Sequence, residues 1–224
     1  MSAFKAIAFD YDGTLFDTRH AIVHCIRRAF EERGRPPPGH DAILSSLKSG
    51  AALPDTFLTL DGTLRNDLVS LRGLIGTYRT LYADEGTPLL RPFAGVGDAL
   101  QQLHAGGAKC IVVSNKGVAA IRRSLDASGL MPFVELVLGD EPGIPRKPDP
   151  KIVTDHILPR YPHLQRNQLL MVGDTEIDIV FAKSSAIACC WASYGYGEAE
   201  RCRALKPEHE ISGIGELPSL VHRH

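Results

Sequence analysis

The spacing of apolar residues changes period within the first forty positions. Phe4-Lys5-Ala6-Ile7-Ala8-Phe9 is a short, nearly continuous apolar run, as expected of a strand buried on both faces. From Asp17 the spacing becomes helical, with Ile22, Val23, Ile26, Ala29 and Phe30 on one stripe until Gly34. Asp17 or Thr18 is the expected cap of that helix, and Pro36-Pro37-Pro38-Gly39 breaks the chain after it. Residues 41–48, 52–60 and 63–84 are predicted as three further helices. The last carries Leu64, Leu68, Leu71, Leu74, Ile75, Tyr78 and Leu81 as its apolar stripe. No strand pattern interrupts this stretch, which ends at Gly86-Thr87-Pro88.

Beyond Arg91-Pro92-Phe93-Ala94-Gly95 the pattern alternates regularly. Strands are predicted at 109–113, 133–138, 168–172 and 186–192. Helices are predicted at 96–105, 118–128, from Pro150 to about Leu158, and at 176–184. Such alternation indicates an α/β fold with a Rossmann-like parallel sheet covered on both faces. A single short strand forms no core by itself, so the helical stretch reads as an insertion after the first strand. Residues 1–15 and 91–224 would form a discontinuous core, and 16–90 an all-helical cap.

At 224 residues, with 25 basic against 26 acidic side chains, the chain has room for one core with a modest insert and carries no broad basic face. Nucleic acid is not an expected partner. No run approaches the length of a membrane span, and the N-terminus lacks a basic stretch followed by a long apolar one. The five cysteines include no CxxC, and Cys189-Cys190 sit in an apolar run, so reduced, buried thiols in a cytoplasmic protein are expected. His222-Arg223-His224 is read as a terminal tail rather than a ligand set.

In open parallel sheets, ligands bind beyond the carboxyl ends of the strands. Asp10 with Asp12, Ser114, and Asp174 all fall at such ends. Two carboxylates where a buried strand enters a glycine turn are unfavourable unless neutralised, and a divalent cation is the natural partner. Asp174 and Asp178 lie four apart at a helix start and share one face. The chain also contains a decoy: Asp61-Gly62-Thr63-Leu64 repeats Asp12-Gly13-Thr14-Leu15, but Thr59 replaces the first aspartate and no strand precedes it. That copy reads as a turn in which Asp61 or Thr63 caps a helix.

In order along the chain, Asp10-Tyr11-Asp12-Gly13-Thr14, Ser114 after an apolar strand, Lys147 in Arg146-Lys147-Pro148-Asp149-Pro150, and Gly173-Asp174-Thr175-Glu176-Ile177-Asp178 resemble the four motifs of the haloacid dehalogenase superfamily. The resemblance is to the subgroup with a small helical cap. It implies Asp10 as nucleophile, Asp12 as acid and base, and Lys147 and Ser114 on the phosphoryl oxygens. Asn115 and backbone amides around Tyr11, Gly13 and Thr14 would complete the cradle. Mg²⁺ would be held by Asp10, the Asp12 carbonyl, Asp174 and Asp178. Because the dehalogenating branch lacks the second aspartate, Asp12 implies phosphoryl transfer, with a small phosphate ester as substrate.

The loop Ser45-Ser46-Leu47-Lys48-Ser49-Gly50, with Ser114-Asn115-Lys116 and the Tyr194-Gly195-Tyr196-Gly197 loop, resembles the phosphoglycolate phosphatase branch. Lys48 would then meet an anionic leaving group, and Arg79 is a second cap candidate. A sugar phosphomutase, a nucleotide or pyrophosphate hydrolase, and a catalytically silent binding protein would share the core motifs. Two features depart from the branch: Lys183-Ser184-Ser185-Ala186 stands where relatives have an alanine-glycine pair, and Pro159-Arg160-Tyr161-Pro162-His163 is long and proline-rich. These residues leave the oligomeric state open.

Overall fold

In β1 (Ala6–Phe9), Ile7 and Phe9 project to one face and Ala6 and Ala8 to the other, all four fully buried. The computed structural model describes residues 4–222. Around β1 lie β4 (Lys109–Gly117), β5 (Leu136–Asp140), β6 (Leu169–Gly173), β7 (Ala188–Ala192) and β8 (His209–Ile211). All pair in parallel, in the order β5-β4-β1-β6-β7-β8. Chain order reverses direction at β1, with β4 and β5 on one side and β6 to β8 on the other. This is the switch point at which such sheets open a crevice.

Two apolar layers cover the sheet. One joins Ile7, Phe9 and Val112 to α1 (Arg19–Glu32), α5 (Val96–Ala105) and α6 (Val118–Ala127). The other joins Ala6, Ala8 and Met171 to α7 (Glu176–Ser184) and to Ile152, Val153 and Ile157. Small Ala6 and Ala8 on the second face let its helices approach closely. The short α8 (Ala199–Ala204) and α9 (Leu217–His222) complete the C-terminal part.

The insert contains α1, α2 (His40–Leu47), α3 (Leu53–Leu60) and α4 (Leu68–Leu81), packed through Phe30, Phe57, Tyr78 and Tyr82 in a chain of ring contacts. The chain enters the insert through β2 (Phe16–Asp17) and leaves it through β3 (Arg91–Pro92), which pair antiparallel. This ribbon was not expected, because a two-residue strand has no periodicity to detect.

Other departures have local causes. The helix expected over 63–84 is divided: Gly62–Asn66 is a 3₁₀ turn, α4 begins after Asp67, and Tyr82–Gly86 widens into a π turn. Asp61 and Asp67 each accept a backbone N–H, from Thr63 and Ser70, so each starts its own element. The helix expected from Pro150 is instead a π turn, Ile152–Ile157, followed by a 3₁₀ turn at Leu158–Arg160, where Pro159 cannot continue an α ladder. The strand expected at 133–138 begins only at Leu136, since Met131–Phe133 forms a 3₁₀ turn around Pro132. At the start of α1, Thr18 occupies the cap position without a side-chain cap; its hydroxyl meets Tyr196, while Asp17 accepts the Arg19 N–H. The side chains of the terminal His222-Arg223-His224 lie outside the described residues.

Candidate active site

Phe9 pairs with Val112 on one side and Val172 on the other, so the residues just beyond these strands emerge together. Asp10, Ser114 and Asp174 are therefore neighbours although they are distant in sequence. All three are buried, as are Lys147 and Asp178. Lys147 Nζ donates to Asp10 Oδ1 at 2.7 Å and to Asp178 Oδ1 at 2.6 Å. Asp174 accepts from Thr14 Oγ1 at 3.0 Å and from the Tyr196 backbone N–H at 2.7 Å. Asp178 sits in the first turn of α7, where its Oδ2 accepts the Thr175 N–H at 3.0 Å and Oγ1 at 2.8 Å. One of its oxygens thus caps the helix while the other faces Lys147.

Asp10, Asp174 and Asp178 bring one carboxylate oxygen each to within 4.8 Å of one another. Three buried carboxylates share a single ammonium, and the imbalance shows in their protonation. Burial, then the Asp178 and Asp12 charges, push Asp10 up to about 6 against the opposing pull of Lys147. Burial, then Asp10 and Asp178, hold Asp174 well above the usual carboxylate range. Burial works against the Lys147 charge, yet Asp10 and Asp178 outweigh it and keep that group protonated. An all-oxygen set with excess negative charge has the donor chemistry of a hard divalent cation site.

The space around this set is kept by glycine. Gly13 adopts a φ of +86°, and a Cβ there would lie 2.3 Å from the Asp174 carboxylate. A Cβ on Gly195 would lie 2.2 Å from Asp174 Cβ. In the sequence this second loop served only as part of the resemblance to the phosphoglycolate phosphatase branch. In the structure it buttresses Asp174, with the Tyr196 N–H on the carboxylate and the Tyr194 hydroxyl on the Thr14 carbonyl.

A cavity of about 640 Å³ opens between the sheet ends and the insert. Asp10, Asp12, Ser114 and Lys147 line its floor; Leu47, Leu53, Tyr78 and Tyr82 line its helical wall. Asp12 is half-buried, and Lys116 Nζ donates to both its oxygens, at 3.0 and 3.3 Å. Burial disfavours the Lys116 ammonium, but the Asp12 charge more than compensates, and its pKa is raised to about 12.

Other predicted residues are placed differently. Asn115 donates to the Gly50 and Lys147 carbonyls, each at 3.3 Å, and accepts the Lys147 N–H at 2.9 Å. Its amide thus ties the Lys147 loop to the insert, at the edge of a cavity that the residue also lines. Thr14 presents its hydroxyl to Asp174, leaving only its backbone for the cradle. Arg79 reaches the cavity rim, where Asp140 holds it at 2.8 Å. Lys48 ends α2 on the exposed surface and is absent from the cavity wall. Lys116 was missed as a site residue. The available signal was its position two residues after Ser114, but a bulge decides its direction. Between the pairs Val113–Leu138 and Gly117–Asp140, β4 advances four residues while β5 advances two.

The haloacid dehalogenase-like hydrolase family model matches residues 7–192. A phosphoglycolate phosphatase of Vibrio parahaemolyticus is 27% identical over 220 residues, covering 97% of this chain and 96% of that protein. A protein of the same name from Nitrosospira multiformis is 29% identical over 227 residues, covering 98% and 96%. Among solved structures, a haloacid dehalogenase-like hydrolase from Bacteroides fragilis superposes with a TM-score of 0.85 at 23% identity, covering 96% of this chain and 99% of that one. A haloacid dehalogenase-like family protein from Streptococcus pneumoniae gives 0.83 at 24% identity, covering 98% and 99%. With its motifs meeting at the sheet's switch point and the family model spanning β1 to β7, this chain belongs to the haloacid dehalogenase-like hydrolases.

Proposed function

We propose that the protein is a Mg²⁺-dependent phosphomonoester phosphatase acting on a small anionic ester such as 2-phosphoglycolate. The observation that carries this reading is the pairing of two different carboxylates at one cavity floor: Asp10 buried against Lys147, and Asp12 half-buried on Lys116. A nucleophile must be fixed and an acid/base must exchange protons, and these environments suit those separate tasks. The full-length similarity to proteins named phosphoglycolate phosphatase supports the substrate.

In the first step an Asp10 carboxylate oxygen attacks phosphorus and the bond from phosphorus to the ester oxygen breaks. Asp12 gives its proton to that departing oxygen. In the second step Asp12 takes a proton from water, whose oxygen attacks the aspartyl-phosphate and releases phosphate and free Asp10. Ser114, Lys147 and the backbone amides of the Tyr11–Thr14 turn would hold the phosphoryl oxygens. Asp10, the Asp12 carbonyl, Asp174 and Asp178 would hold the metal, which supplies charge neutralisation between an anionic nucleophile and an anionic ester. Residues 16–90 act as a cap that excludes water from the cavity. Five free, buried cysteines support a reducing, cytoplasmic setting.

Phosphate release from a panel of phosphomonoesters, with and without Mg²⁺, tests the proposal. Release is expected only with the metal. Asp10→Asn should lower kcat to background while folding normally; persistent turnover in that variant would remove Asp10 as nucleophile.

A further inference from the structure

Lys116 occupies an unusual place for a lysine. Its side chain is 9% exposed, its ammonium lies on Asp12, and it sits 4.0 Å from the centre of the Tyr82 ring and 5.6 Å from that of Tyr11. Tyr82 belongs to the insert, whereas Asp12 and Tyr11 belong to the core. An ammonium has three N–H donors. With one N–H shared between the two Asp12 oxygens and another over the Tyr82 face, one N–H is left for an acceptor in the cavity that Lys116 lines. The Tyr82 hydroxyl is itself buried without a hydrogen-bond partner among the described residues. The wall covering Lys116 therefore holds a second unfilled polar group.

The other cations bordering the cavity are committed elsewhere or peripheral. Lys147 is held by Asp10 and Asp178, and Arg79 by Asp140. Arg122 and Arg123 are exposed, the latter donating to the Ala83 carbonyl at 3.2 Å. Among the described residues, Lys116 is the one cation hydrogen-bonded to Asp12, the proposed acid.

We propose that Lys116 is the specificity-determining residue, recognising a carboxylate on the carbon that bears the phosphoryl oxygen. This rests on the phosphatase reading above, in which Asp12 donates to the ester oxygen. When Asp12 does so, an acceptor on the adjacent carbon comes within reach of an ammonium already resting on Asp12. The substrate class is thus the 2-phosphoryloxy carboxylic acids. Substituents further out face the apolar surface of Ile22, Ile26 and Leu53.

The test compares 2-phosphoglycolate with ethyl phosphate, which matches it in length but ends in a methyl group. Wild-type kcat/KM should favour 2-phosphoglycolate by more than about 10-fold, mainly through KM. Lys116→Met keeps the apolar stem beneath Tyr82 and removes the charge. It should reduce the preference by about 10- to 100-fold, with any loss through Asp12 common to both esters and cancelling in the ratio. Lys116→Arg should retain part of the preference. An unchanged ratio in Lys116→Met, with both esters slowed equally, would assign Lys116 to positioning Asp12 and overturn the proposal. So would a wild-type enzyme that cleaves both esters alike, and that outcome leaves the phosphatase reading intact. If wild type with Mg²⁺ releases phosphate from no ester, the phosphatase reading itself fails. Calorimetric binding of 3-phosphonopropionate, in which a methylene replaces the ester oxygen of 2-phosphoglycolate, provides a readout independent of turnover. Binding weakened at least 10-fold in Lys116→Met is expected, and equal binding would count against the proposal.

Discussion

Ala186 shows how one residue can carry a cost that its neighbours conceal. It adopts a φ of 53°, the left-handed region in which Cβ crowds the backbone. It lies in the turn from α7 to β7, after Ser184 and Ser185. Left-handed backbone costs a non-glycine residue about 1–2 kcal/mol, while glycine loses about 0.4–1 kcal/mol more backbone freedom on folding. Ala186→Gly should therefore stabilise the protein by about 0.5–1 kcal/mol, seen as a rise in Tm of roughly 1–4 °C. Activity should be unchanged, because the turn lies away from the cavity. Gly139 shows the opposite constraint. A Cβ there would meet the Lys116 carbonyl at 2.4 Å, so its bareness permits the bulge that aims Lys116.

At the scale of elements, the duplicated Asp-Gly-Thr-Leu shows how context assigns chemistry. Asp12 follows a buried strand and faces a cavity. Asp61 follows α3 and starts a 3₁₀ turn, accepting from the Thr63 N–H at 3.0 Å and from Arg35 at 2.6 Å. The Thr63 hydroxyl, foremost, together with the Thr63 N–H and Arg35, holds the Asp61 carboxyl below its usual range. Its folded pKa lies below its unfolded one, so between the two the unfolded chain binds more protons and stability rises with pH. The contribution is complete above the unfolded value of about 4 and is lost as pH falls through the folded one. Asn keeps a side-chain oxygen for the cap and removes the charge, so thermal unfolding of Asp61→Asn should show a deficit of about 0.5 kcal/mol at pH 7 that shrinks toward zero in acid. A deficit constant with pH would mean that the cap acts without its charge.

For the molecule as a whole, the site and the fold oppose each other. Asp10, Asp174 and Asp178 are packed together around one ammonium, and the resulting repulsion is borne by the sheet ends. A cation that binds only the folded state relieves it, adding about 2.7 kcal/mol at a hundredfold excess over Kd. Mg²⁺ should therefore raise Tm by roughly 5–11 °C, and a chelator should reverse this together with activity. Asp174→Asn should raise Tm in the metal-free protein and abolish the response to Mg²⁺. A variant no more stable than the wild type without metal would show that repulsion is already relieved by other means.

The strand-and-helix alternation, the helical insert after β1 and the acidic positions at strand ends were all legible in the sequence. Each depends on periodicity or on residues adjacent in the chain, and hydrophobic burial enforces those patterns locally. The four motifs were legible for the same reason, since each is a short run of neighbouring residues, and the structure brings Asp10, Ser114, Lys147, Asp174 and Asp178 together. The tertiary structure alone decided which cation rests on Asp12. Lys48 and Lys116 are indistinguishable as isolated lysines, yet one ends a surface helix and the other lies between Asp12 and Tyr82, separated from them by 104 and 34 positions. A bulge with two extra residues, a bare glycine on the next strand and a ring from the insert set that position. None of the three leaves a period in the chain, and their effect exists only once distant segments meet.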